Sequence, residues 1–309
     1  MSRAGLGRLL CLGLIWGSSF LWIKLALRGL GPGQIVLVRL FLGALVLGGA
    51  ALARGQRLPR ATGLWRHLFT AALFANLIPY LLFAYAEQHV GSAVAGILNA
   101  TTPLWTVLIA TTVGLEASPG VRKLAGLGLG FGGAVLTFSP WNLGSQVMSW
   151  GGVACLVAAA SYGVSYVYMA RNLAGRGFPL LALSAAQLLA GALLSVAAVP
   201  VLGWQAPVLR ADALSAVLIL GVVGTGVAYV INYHLISDDG PSSASVVTYL
   251  LPVVAVVLGA LTLAESIPLN AVAGMLVILA GLGLTRGRGS VPETASFDET
   301  AGASRTKGL

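Results

Sequence analysis

Charge is scarce in this chain: 309 residues carry 18 Lys+Arg and 9 Asp+Glu, 9% in all. A soluble domain carries roughly 25%, so there is too little charge here to cover a water-facing surface. Cysteine is scarcer still. Cys11 and Cys155 each sit inside an apolar run, which excludes a disulfide framework or a paired-cysteine metal site and leaves helix packing as their reading. The phosphate loop G-x-x-x-x-G-K-[ST] is missing, so ATP is not the direct energy source. The zinc motif H-E-x-x-H is missing too. No catalytic constellation, metal site or cofactor motif emerges, so an enzyme is not expected and no cofactor is implied.

What the chain has instead is apolar length. Hydrophobic residues make up 57% of it and the mean hydropathy is +0.90. A hydrocarbon core needs roughly 20 apolar residues per helix. Ten runs approach that length, at about 9–27, 35–53, 67–87, 92–113, 122–139, 149–170, 179–202, 213–236, 242–264 and 268–285. They are continuous rather than alternating, which favours helices over a barrel. The expected fold is all-α and polytopic in a membrane, with the bilayer as its first partner.

The net charge of +9 does not indicate nucleic acid, because the cations sort by loop. Fourteen fall on one side, in the N-terminus, the even-numbered connections and the tail, from Arg3 and Arg8 to Arg305 and Lys307. Lys24, Arg28 and Arg210 fall on the other. The positive-inside rule then places both termini in the cytoplasm. The first apolar run has no small-x-small cleavage site and reads as an uncleaved helix. Residues 287–309 are polar and read as a disordered tail.

The chain also repeats itself. Trp16-Gly17-Ser18-Ser19-Phe20, Pro32, Pro103 and Glu116 return as Tyr162-Gly163-Val164-Ser165-Tyr166, Pro179, Pro252 and Glu265. The offset stays at about 146 to 149, and Ala125-Gly126 and Gly133 return as Ala273-Gly274 and Gly281. Five runs per copy is an odd number, so the second copy, 141–286, would enter the bilayer opposite to the first, 1–140. Inverted repeats are a device of transporters, since two conformers of one unit can exchange roles across the membrane.

Polar groups inside apolar runs are costly beside lipid and face other helices or a wet cavity. Asn76, Asn99 and Asn232, with Tyr80 and Tyr229 at matched positions, are candidates for a substrate path. For the Ser and Thr residues the alternative is helix packing, and for Tyr and Trp near run ends an interfacial belt. Arg39, five residues into its run, reads as snorkelling outward or pairing helices. Glu116 and Glu265 read as structural hinges, and Glu87 and His234 as the groups able to titrate. Pro103 and Pro252, at the same point of both copies, read as bends that let each half move. The glycines of 126–132 have no strand before them, so they read as close helix packing rather than a dinucleotide fingerprint.

Leu14-Ile15-Trp16-Gly17-Ser18-Ser19-Phe20 with Lys24, then Pro32 with Arg39 seven residues on, resembles the opening of the EamA family of the drug/metabolite transporter superfamily. The Pro252 run ending in Leu263-Ala264-Glu265, with Ala273-Gly274 and Ala280-Gly281, resembles its close. The resemblance covers roughly 8–286. Gly114-Leu115-Glu116 and Ala264-Glu265 depart from the family's Gly-Glu. The resemblance implies ten helices as two inverted repeats around a central cavity. Carried over by position, it points to Trp16, Ser19, Asn76, Tyr80, Asn99, Thr102, Tyr162, Tyr166, Tyr229, Asn232, Tyr233 and Tyr249 as substrate-binding. Bacterial aromatic amino-acid exporters of this superfamily look like the nearest functional relatives. The expectation is a monomeric secondary exporter of small metabolites, amino acids foremost, in the bacterial inner membrane. A broad drug or organic-cation exporter is the alternative. A lipid-modifying enzyme, built on Asp238-Asp239, is the remote one.

Overall fold

Segments this apolar leave the backbone no partner but itself, so each closes into a helix. The structure, a computed structural model, describes residues 3–138, 147–202, 206–263 and 269–285, and every regular element among them is helical. Helix α1 is Arg3–Ala26, interrupted at Ser18. Helix α2, Pro32–Ala53, opens on a proline, where a missing N–H costs nothing, and the Gln34 side chain accepts from Gly31 N at 2.8 Å. Helix α3 is Thr62–Ala86. Helix α4 comes in two halves, Ser92–Asn99 and Thr102–Thr112. Helix α5 is Val121–Phe138 and α6 is Trp150–Asn172, capped by Ser149 Oγ accepting from Gly152 N at 3.2 Å. Helix α7 is Leu180–Leu202 and α8 is Ala211–Asp239. Helix α9 starts as Pro241–Ser245, tightens to 3-10 geometry over Val246–Tyr249 and resumes as Leu250–Leu263. Helix α10 is Leu269–Thr285.

Each of the ten apolar runs falls on helix within the described residues. Seven helices, α1–α4 and α6–α8, are long and apolar enough to cross a membrane, while Pro241–Val254 of α9 and all of α10 are shorter apolar helices. The expected tail, Glu265 and the turn at Ser266-Pro268 lie outside the described residues. Leu14, Phe41, Leu45, Val157, Leu193 and Leu276 all point outward, an apolar surface suited to lipid.

The packing follows the small residues. Helices α5 and α10 lie against each other through the glycines singled out in the sequence. A Cβ on Gly126 would stand 2.8 Å from Gly281 O, and one on Gly274 would stand 2.5 Å from Thr137 N. Close approach is the reason these positions carry no side chain. Helix α2 packs on α7, α6 on α3 and α4, and α1 between α8 and α9.

Two features are not visible in the sequence. Helix α3 widens to a π turn over Leu73–Leu77 and α8 does the same over Val222–Val227. Their starts are 149 positions apart, the spacing of the sequence repeat. Also, Pro103 and Pro252 do more than bend a continuous rod. Pro103 stands in the first turn of the second half of α4, after the break at 100–101, and Pro252 follows the 3-10 turn of α9. Each proline removes the ladder bond that the residue four places earlier would accept. Those residues are Asn99 and Thr248.

Candidate functional site

One cavity lies between the middle of the bundle and the end opposite the N-terminus. Helix spacing explains its lining. Trp16, Ser19, Phe20 and Ile23 recur at 3 and 4 residues, so α1 shows one face, and Tyr162, Ser165 and Tyr166 do the same on α6. Helix α3 contributes Tyr80 and Phe83, α8 Tyr229 and Asn232, and the proline-broken helices contribute Asn99 and Thr248. Phe83 stacks on Tyr162 with ring centroids 6.0 Å apart and meets Phe20 edge-on at 6.0 Å. Trp16 Nε1 donates to Gly224 O at 3.1 Å, inside the π turn of α8. The wall is aromatic, and among its described residues two fully buried polar atoms have no hydrogen-bond partner: Asn232 Oδ1 and the Tyr166 hydroxyl.

Eight of the twelve positions suggested by the resemblance therefore line the cavity: Trp16, Ser19, Tyr80, Asn99, Tyr162, Tyr166, Tyr229 and Asn232. The other four are placed elsewhere. Asn76 and Tyr233 are wholly buried in a polar chain behind the wall. In it the Tyr233 hydroxyl donates to Gln187 Oε1, and Gln187 Nε2 donates to Asn76 Oδ1 at 3.1 Å. Asn76 Nδ2 then donates to the Tyr229 hydroxyl at 2.6 Å, and that hydroxyl donates to Ala75 O at 2.8 Å. Thr102 holds α4 to α6 through Ala159 O at 3.4 Å. Tyr249 turns away from the cavity, over Gly130 of α5, and its hydroxyl donates to Leu127 O at 3.0 Å.

Of the two readings of Arg39, the structure keeps helix pairing and drops snorkelling. Arg39 is 4% exposed, turned inward, and borders the cavity. Its Nε donates to Thr225 Oγ1 at 3.0 Å and its guanidinium lies 3.7 Å from the Tyr80 ring centroid. Rotation about the helix axis, which depth along the chain does not reveal, decides between the two outcomes. Lys24 is exposed, as a snorkelling residue should be.

Glu87 follows α3 directly, is 5% exposed, and neither carboxylate oxygen has a hydrogen-bond partner. Lys24 and Arg39 are within electrostatic reach of it. His234 is half-buried, and neither it nor Glu87 is part of the cavity lining.

At the end of the bundle that carries the N-terminus, the two halves of the chain are tied together. Glu116 accepts from Ser242 N at 3.1 Å, from Ser242 Oγ at 2.5 Å and from Lys123 Nζ at 2.8 Å. Glu116 is thus a cross-link rather than a free hinge. Burial alone would raise its pKa, but the bonds from Lys123 and Ser242 outweigh burial and hold the carboxyl below its ordinary value. Arg8 pairs with Asp238 at the same end.

The broken α4 gives a first expected result. Pro103→Ala restores a donor for the Asn99 carbonyl and lets the halves of α4 join. The thermal midpoint should hold or rise while initial transport rates in proteoliposomes fall several-fold. Equal rates at matched reconstitution would mean that the break is static.

Similarity to known proteins covers nearly the whole bundle. The model of the EamA-like transporter family matches twice, at residues 3–139 and 149–287. An uncharacterized inner membrane transporter of Escherichia coli, YedA, is 30% identical over 260 residues, 82% of this chain and 81% of that protein. An uncharacterized transporter of Archaeoglobus fulgidus is 28% identical over 276 residues, 88% of this chain and 93% of its own length. A WAT1-related chloroplastic protein of Arabidopsis thaliana is 26% identical over 286 residues, 86% of this chain and 66% of that one. A solved crystal structure superimposes with a TM-score of 0.71 at 20% identity, over 93% of this chain and 97% of the other, and shares the fold.

Proposed function

The chain belongs to the EamA-like transporter family, and from that premise we propose that this multi-pass membrane transporter exports amino acids, aromatic or otherwise amphipathic. Residues 1–140 and 141–286 act as inverted halves that expose the cavity to each side in turn, with both termini cytoplasmic. The observation that carries the reading is the pairing of an aromatic wall with unpaired Asn232 Oδ1 and Tyr166 hydroxyl. Rings hold the apolar body of a ligand, and the neutral polar atoms hold its ends. Glu87, buried without a partner beside two cations, is the group proposed to couple transport to protons, ahead of His234. The organic-cation alternative is weaker, because the one charged residue among the described cavity lining is the cation Arg39.

Aromatic contacts contribute about 0.5–1.5 kcal/mol beyond burial and a neutral hydrogen bond about 1 kcal/mol, weak enough for release. Uptake of a labelled amino-acid panel into proteoliposomes, with and without a pH gradient, tests the reading. Tyr229→Ala should slow aromatic substrates about tenfold more than small aliphatic ones. Asn232→Ala should slow both classes alike. Equal losses from the tyrosine variant would reassign that ring to packing, and no uptake of any amino acid would reject the substrate class.

A further inference from the structure

Arg39 has a counterpart in the second half of the chain. Helices α2 and α7 each send one long polar side chain inward at nearly the same depth: Arg39 is seven residues after Pro32, and Gln187 eight after Pro179. Each ends on the π turn of the helix it faces. Arg39 Nε donates to Thr225 Oγ1 at 3.0 Å, and Gln187 Nε2 donates to Asn76 Oδ1 at 3.1 Å. Asn76 and Thr225 are themselves 149 positions apart. The same packing task is done twice, once by a neutral amide and once by a guanidinium.

The two differ in what is left over. Gln187 is wholly buried and both ends of its amide are engaged, by Tyr233 and Asn76. Arg39 spends only Nε on Thr225 and one face on Tyr80. Its two terminal nitrogens have no hydrogen-bond partner among the described residues, and no carboxylate there lies within 4.0 Å. Arg39 borders the cavity. Tying α2 to α8 needs only a neutral donor, as Gln187 shows on the other side. The Glu87 carboxylate acts on Arg39 only at longer range, with no bond between them. A full charge held this deep without a bonded partner is costly, so the charge has a use beyond packing.

We propose that Arg39 anchors a carboxylate on the transported solute, which makes amphipathic carboxylates the ligand class of the cavity and disfavours organic cations. A guanidinium fixed at Nε and resting on a ring presents its free edge as a planar fork, the geometry that matches a carboxylate. Unpaired Asn232 Oδ1, an acceptor on the same cavity, suits an ammonium group on the same solute. The inference rests on reading the cavity as the transport site.

Three probes share one ring and differ only in charge: phenylalanine, 3-phenylpropanoate and 2-phenylethylamine. Their affinity for the purified full chain is read by quenching of tryptophan fluorescence, Trp16 being in the wall. Wild-type protein should bind both carboxylates at least about tenfold more tightly than the amine. Arg39→Gln should weaken the carboxylates about 10- to 100-fold and leave the amine unchanged, while Arg39→Lys keeps part of the preference as a point charge. The wild-type comparison needs no variant to fold. An amine bound as tightly as the acids, or a loss of equal factor for all three probes in Arg39→Gln, overturns the proposal. Binding of 3-phenylpropanoate but not phenylalanine keeps the anchor and rejects the amino-acid reading. Transport of phenylalanine without any preference for acid over amine does the reverse.

Discussion

Gln187→Leu should lower the stability of the protein by about 2–5 kcal/mol, a fall in thermal midpoint of about 5–15 °C in detergent. Leucine fills the space of glutamine, so the loss is not one of volume. It is one of partners: the Tyr233 hydroxyl loses its acceptor and Asn76 Oδ1 loses its donor. Both residues are wholly buried, and a buried polar atom left unpaired costs about 1–3 kcal/mol. The damage should then spread to Tyr229, which Asn76 Nδ2 holds at 2.6 Å and which lines the cavity. An unchanged midpoint for Gln187→Leu would show that the chain of bonds contributes nothing net.

The second large effect is conformational. Glu116→Ala removes three contacts at the end that carries the N-terminus, from the Lys123 ammonium and from the Ser242 backbone N–H and hydroxyl. Hydrogen bonds to a charged group contribute at most about 1.5–3 kcal/mol each; screening at this partly exposed site leaves about 1.4–2.7 kcal/mol in all, so opening at that end should become about 10- to 100-fold more frequent. Maleimide labelling of Ser245→Cys, a buried position near the start of α9, should accelerate by that factor in a background lacking Cys11 and Cys155. An unchanged rate would mean that Arg8–Asp238 and apolar packing suffice. The pH sign follows from the depressed pKa of Glu116. Its contribution is complete above the ordinary carboxylate range and is lost only as pH falls through the lower folded value. This contact should therefore be constant through neutral pH, and any pH dependence of transport there must come from another group.

Most of the architecture is legible in the sequence because lipid imposes a simple rule: long apolar runs become helices. The α5–α10 contact is legible for the same reason, since glycines at four-residue spacing have few other uses in a membrane. The cavity is legible where one helix face carries it, as with Trp16 and Ser19 on α1 or Tyr162 and Tyr166 on α6. It fails where the deciding partner is distant. Tyr249 faces away because Gly130, on another helix, leaves room for its ring. Asn76 and Tyr233 are absorbed by Gln187. For Arg39 the sequence leaves snorkelling and pairing open, because both faces of α2 are apolar and no polar stripe marks which way the helix is turned.

The π turns carry a consequence for how α3 and α8 are built. A π turn holds one residue more than an α turn, and one residue in an α-helix is worth about 100° of rotation. In each of these helices the stretch after the turn is therefore out of phase with the stretch before it. Leu68 and Ala72 can point into the bundle on one phase while Tyr80 and Phe83 reach the cavity on another. Deleting a single residue at Phe74 or Gly224 would leave composition and length almost untouched. It would swing the aromatic wall about a quarter turn toward lipid. What these two helices tolerate least is thus a change in their count of residues, more than a change in the residues' identity.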